Sequence, residues 1–171
     1  GQQYFLNLAL IREAAVKHNL PFLNVIQSCA IPGWREPSAG ELRWLAFTTL
    51  TYGGRGICWF IYWGSEGDKA IIRDGVRSKN ADHIAAINKD ARTIGNEMLK
   101  MTSTAVYHTG TLPIYTRAIP QSSPVKVSKG DYVIGLFKQN GIKNIFMLMN
   151  RDYKNISTAK VTLDRSEERR V

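Results

Sequence analysis

Gly40-Glu-Leu-Arg-Trp-Leu-Ala-Phe-Thr-Thr-Leu-Thr-Tyr-Gly-Gly-Arg-Gly-Ile-Cys-Trp-Phe-Ile-Tyr-Trp63 is where this chain concentrates its aromatic and glycine residues. It reads as an amphipathic helix, a stop at Gly53-Gly54, and an apolar strand that ends in Tyr62-Trp63. That is one αβ step of a barrel or of a doubly wound sheet. Such folds meet their ligands at the carboxyl ends of their strands. The Tyr62-Trp63 pair therefore stands where a ligand is expected, and aromatic faces there suit the apolar faces of sugar rings.

Working outward, Tyr4, Leu8, Ile11 and Ala15 recur at helical spacing over residues 3–18. Asn19 is placed to end that helix, and Pro21 blocks its continuation. Residues 22–30 form a nearly continuous apolar run, the pattern of a strand buried on both faces. Ser38-Ala-Gly-Glu41 is a capping box and starts a helix near Ala39. Residues 57–63 form the next strand, 64–78 a polar loop, and 80–100 a helix carrying Ile84, Ile87, Ala91, Ile94 and Leu99. The order αβαβα predicts that strands 22–30 and 57–63 lie parallel and adjacent, with helix 39–53 on their outer face. Beyond about residue 101 the character changes. Residues 102–127 hold three prolines and little periodicity. Residues 132–137 and 144–150 flank Asn140-Gly141, a hairpin signal, and a further strand is expected over 157–163.

Length and composition bound the answer. The chain has 171 residues, 44% of them hydrophobic, with a formal net charge of +9. No run approaches the roughly 18 apolar residues of a membrane span, and no charged-then-apolar leader opens the chain. The positive charges are scattered singly, apart from a mixed-sign cluster of Arg165, Glu167, Glu168, Arg169 and Arg170. Nucleic-acid binding calls for a stripe or patch, so a solvated basic surface is the reading. Cys29 and Cys58 lie in apolar strands and read as buried free thiols, with a disulfide as the alternative. His18, His83 and His108 are dispersed, so no triad and no metal site is expected. Gly53-Gly54-Arg55-Gly56 lacks the lysine of a phosphate loop and follows a helix rather than a strand. Asn155-Ile-Ser157 is a glycosylation sequon of a kind that chance often produces.

These stretches together carry a family resemblance. Tyr4-Phe5-Leu-Asn-Leu-Ala-Leu-Ile-Arg-Glu-Ala-Ala, Pro21-Phe22-Leu-Asn24, Trp34-Arg-Glu-Pro-Ser38, Glu41-Leu-Arg-Trp44, Tyr52-Gly-Gly-Arg-Gly-Ile57 and Phe60-Ile-Tyr-Trp63 resemble the last third of a glycoside hydrolase barrel. So do Ile72-Arg-Asp-Gly75, Ile87-Asn88, Val106-Tyr-His-Thr109 and Asn150-Arg151-Asp152. The group resembled is the β-galactosidase-like, family 42-related branch of the retaining (β/α)8 clan. The resemblance implies an α/β fold: the carboxyl-terminal part of a TIM barrel over residues 1–102, then an antiparallel β-sandwich module over 103–171. Residues 22–30 would be strand seven, 57–63 strand eight, and 80–100 the closing helix. A complete barrel takes about 250 residues, so the chain is expected to begin partway through a larger protein and to be cut near its end. The clan's nucleophile is a glutamate at the end of strand seven. Here that strand ends Ile26-Gln27-Ser28-Cys29-Ala30, without a carboxylate.

Glycoside hydrolysis uses two carboxyl groups that flank the scissile bond. Glu36, Glu41, Glu66 and Asp68 are the acids near the strand ends. Glu36, on the loop after strand seven, is the candidate catalytic carboxylate; the competing reading is an ion pair with Arg35 or Arg43. Glu41 is absorbed by the capping box, and Glu66 and Asp68 lie on a polar loop. Trp63 is a sugar platform or a core tryptophan closing the barrel top. Tyr62 follows the opposite face of the strand, and Trp59 lies deeper. Trp34 is a loop aromatic, for substrate contact or loop packing. Arg35, Gln27 and Ser28 complete the candidate substrate-binding set. The expectation is a glycoside hydrolase acting on a β-linked glycan, extracellular or periplasmic, with a carbohydrate partner and without cofactor, metal, nucleic acid or membrane. The alternative is a non-catalytic carbohydrate-binding or scaffold protein. Oligomeric state stays open.

Overall fold

A computed structural model describes residues 2–64, 70–141 and 143–164. Helix α1 (Gln2–His18) opens the chain, followed by β1 (Leu23–Gln27), α2 (Ala39–Thr51) and β2 (Gly56–Phe60). Three two-residue strands come next: β3 (Trp63–Gly64), β4 (Ile72–Arg73) and β5 (Val76–Arg77). Helix α3 (Asn80–Met98) leads into β6 (Met101–His108), β7 (Val125–Val127), β8 (Tyr132–Gln139), β9 (Lys143–Asn150) and β10 (Val161–Leu163).

The helix ends follow local chemistry. Asn19 takes a positive φ of 52°. Its amide reaches Val16 O at 3.3 Å while that of Leu20 reaches Ala15 O at 2.9 Å, so two orphan carbonyls of α1 are satisfied. Ser38 caps α2: Glu41 N donates to Ser38 Oγ, and Ser38 N donates to Glu41 Oε2 at 2.9 Å. The α3 end is closed from outside. Arg55 donates to Met98 O and Met101 O, both at 2.6 Å, placing a cation against the negative end of the helix.

β1 and β2 pair in parallel, Leu23 beside Gly56 through Gln27 beside Phe60. Between them α2 lays Leu42, Ala46 and Leu50 over one face, and Ile26 completes that layer. β6, β8 and β9 form an antiparallel sheet. Its hairpin turns at Asn140 and Gly141, both with positive φ (52° and 74°). β7 and β10 make a separate antiparallel pair, and β3, β4 and β5 a small mixed sheet.

This architecture overturns the expected fold class. The described residues form three helices and several small sheets, with no closed barrel, and the chain is not the carboxyl-terminal part of a TIM barrel. A barrel needs a continuous ladder through eight strands, whereas the parallel ladder here stops at two. Residues 22–30 are not buried on both faces either: Ile26 is 3% exposed, its neighbour Val25 63%. Leu23 and Phe60 are exposed with Val25, and so is Cys58, while Cys29 is buried; both thiols are free. The long antiparallel sheet packs against α2. Phe137 of β8 and Met101 of β6 share one cluster with Leu42 of α2 and Ile84 and Ile87 of α3. A second cluster joins Phe5 and Leu8 of α1 to Phe22, Tyr52 and Val133. The hydrophobic core therefore runs across residues 102–103.

Element limits differ as well. Strand β6 occupies a stretch that shows little periodicity in the sequence. β10 is shorter than the expected 157–163 and pairs with β7 rather than with the hairpin. On α3, Ile84 and Ile87 are buried, but Leu99 lies past its end and is exposed.

Candidate functional site

The carboxyl ends of β1 and β2 lie together, since Gln27 is in register with Phe60. The chain leaves β1 into the loop of residues 28–38. Gln27 Nε2 ties that loop down, donating to Cys29 O at 2.7 Å and to Arg35 O at 2.6 Å. Ile31 and Trp34 bridge each other across its turn. Asn80, at the start of α3 and buried, holds the loop from behind. Its Nδ2 donates to Ser28 O at 3.3 Å and Pro37 O at 3.2 Å, with Glu36 Oε1 at 3.5 Å.

Three large aromatics stand out from this end of the molecule. Trp34 is 60% exposed, Tyr62 66% and Trp63 60%. None of their rings packs on another aromatic ring among the described residues. Tyr62 and Trp63 do not alternate on one strand as expected. The ladder of β2 ends at Phe60, and Trp63 belongs to β3, beside Ile72. Trp59 is partly buried against the core and donates from Nε1 to Asn88 Oδ1 at 2.8 Å.

The acids are arranged differently from the expectation. Glu36 pairs with neither Arg35 nor Arg43; its Oε2 meets Lys79 Nζ at 3.0 Å, and its side chain is 21% exposed. Arg43 is taken by Asp90 at 2.8 Å. Arg35 lays its guanidinium fork on the Glu41 carboxylate, with Nη1 on Oε2 at 2.8 Å and Nη2 on Oε1. Those bonds, together with the Ser38 amide, pull the Glu41 pKa down to about 2 and raise that of Arg35 above its ordinary value. Glu41 thus closes both the helix cap and the loop. Ser28 is fully buried and donates to Ile61 O at 3.3 Å, so its hydroxyl is spent inside the fold. Glu66 and Asp68 lie outside the described residues.

The arrangement brings Gln27, Arg35, Glu36, Glu41 and Asn80 into one hydrogen-bonded loop and leaves Trp34, Tyr62 and Trp63 with open faces. Lys79 and Asn80 were not legible as site neighbours, because they reach Glu36 across 43 and 44 residues of chain. Among the described residues, no three His, Cys, Asp or Glu side chains are grouped to hold a metal ion. No described helix is long and apolar enough to cross a membrane. No family model, curated protein or solved structure matches the chain.

Proposed function

We propose that this chain binds carbohydrate at the carboxyl ends of β1 and β2, as part of a glycoside hydrolase acting on a β-linked glycan. The observation that carries the reading is the set of Trp34, Tyr62 and Trp63, each at least 60% exposed, around that end. Large aromatics held out in water lose the free energy of burial, and a pyranose C–H face restores part of it while its hydroxyls stay hydrogen-bonded. Arg35 and Glu36, on the same loop, supply the polar partners such a sugar needs. This reading assigns acid–base work to Glu36, whose carboxylate is held by Lys79. Such a substrate fits an extracellular or periplasmic setting.

A second reading is a non-catalytic carbohydrate-binding protein. It is favoured by the absence of a carboxylate at the end of β1 and by the engagement of Glu41 in the helix cap. Titration with β-linked oligosaccharides, followed by tryptophan fluorescence, tests the sugar surface. Trp63→Ala should weaken binding by about 0.5–1.5 kcal/mol while changing the folding free energy by no more than about 0.5 kcal/mol. An unchanged affinity in that variant, with the fold intact, rejects the surface. Hydrolysis of aryl β-glycosides by the full chain and by Glu36→Gln separates the two readings: loss of turnover with retained binding supports the enzyme, and absence of turnover in both supports the binder.

A further inference from the structure

A second cleft, of about 470 Å³, lies between α1 and β6, away from the sugar surface. Its wall carries three cations, Arg12 and Lys17 from α1 and Arg117 from the segment after β6, against one carboxylate, Glu13. Glu13 already accepts the Tyr115 hydroxyl at 3.0 Å. Among the described residues, none of the three cations has an ion-pair partner, whereas Arg35, Arg43, Arg77 and Arg151 each have one. Arg12 Nη2 is held by Ser103 Oγ at 3.2 Å, and its Nε is buried with no partner. Burial, and then the nearby Arg117 charge, lower the Arg12 pKa.

The floor of the cleft is neutral. Tyr52 Oη and His108 Nε2 lie 2.6 Å apart, and both residues are buried. Burial raises the Tyr52 pKa, while burial and then the Arg151 charge push His108 down to about 4. Among the described residues of the cleft lining, Glu13 is thus the one carboxylate set against three cations.

We propose that this cleft binds an oxyanion, the phosphate or sulfate group of a small molecule, with Arg12 and Arg117 as its guanidinium ligands and Lys17 at the rim. A guanidinium presents a planar fork of donors that matches two oxygens of a tetrahedral anion. Two forks plus an ammonium neutralise such a group and relieve their own repulsion. The site is independent of the sugar reading, because it shares no residue with the carboxyl ends of β1 and β2.

The test is thermal melting and calorimetric titration of the full chain at matched ionic strength with inorganic phosphate, inorganic sulfate, glucose 6-phosphate and sodium chloride. Phosphate and sulfate should stabilise saturably, and chloride should not. Arg117 and Lys17 are exposed, so Arg117→Gln and Lys17→Gln should fold as the parent does. Arg117→Gln should weaken phosphate binding about tenfold or more and should melt above the parent in anion-free buffer. Lys17→Gln should weaken binding about threefold. Tighter binding of glucose 6-phosphate than of inorganic phosphate assigns an ester ligand; the reverse order assigns the free anion. Unchanged phosphate binding in Arg117→Gln, or equal stabilisation by chloride, overturns the proposal.

Discussion

At the scale of single residues, two buried or paired groups make the fold sensitive to acid in successive, slightly overlapping ranges. Glu41 ionises near 2 in the folded chain because Arg35 and the Ser38 amide bond its carboxylate, against an ordinary 4.5. Its folded pKa is depressed, so its contribution is complete above the ordinary value and is lost as the pH falls toward about 2. Glu41→Gln should flatten the loss of stability between those limits, as denaturant titrations at successive pH values would show. His108 titrates higher. In the unfolded chain it takes its proton near 6.5, in the folded chain near 4, because burial and Arg151 disfavour the imidazolium. The unfolded state therefore binds more protons across that window, and stability should fall as the pH drops from about 6.5 to about 4. His108→Gln should remove that slope whatever its own cost. A slope as steep as the parent's would show that the imidazole is not the group responsible.

At the scale of elements, β1 separates two neighbours that look alike in sequence. Val25 and Ile26 are adjacent β-branched residues, yet one is 63% exposed and the other 3%. Successive side chains of a strand leave on opposite faces, and α2 covers only one of them. Ile26→Ala should cost about 2–5 kcal/mol, if the cavity it leaves behaves as buried aliphatic cavities do. Val25→Ala should stay within about 0.5 kcal/mol. Chemical denaturation of the two variants checks the assignment, and comparable losses would mean that the outer face of β1 is covered in solution.

At the scale of the whole molecule, the antiparallel sheet and the αβ half are locked at one close approach. A Cβ on Gly135 of β8 would lie 2.2 Å from Thr51 O at the end of α2. Gly135→Ala must push the sheet off the helix, at a cost of about 1–3 kcal/mol, and its melting temperature should fall accordingly. Retained stability would mean that the two halves are less tightly docked. Local signals carried part of this structure. Ser38 and Glu41 marked the start of α2, Asn19 the end of α1, and Asn140-Gly141 the hairpin, because each rests on hydrogen bonds or dihedral preferences within a few residues. The αβ order likewise led to the parallel pairing of β1 with β2. Partnerships across long stretches of chain were not legible. Strand β6 reads Met-Thr-Ser-Thr-Ala-Val-Tyr-His, too polar to declare itself, and becomes a strand by pairing with β8 about 30 residues on. Glu36 took Lys79, 43 residues on, by proximity that only folding creates. The barrel expectation failed on the same ground. A repeat of helix and strand is a local pattern, whereas closure, burial of the second face and the choice of ion partner depend on how many elements meet in space. Residue periodicity determined the pieces; tertiary contact decided which faces they bury and which aromatic rings remain in water.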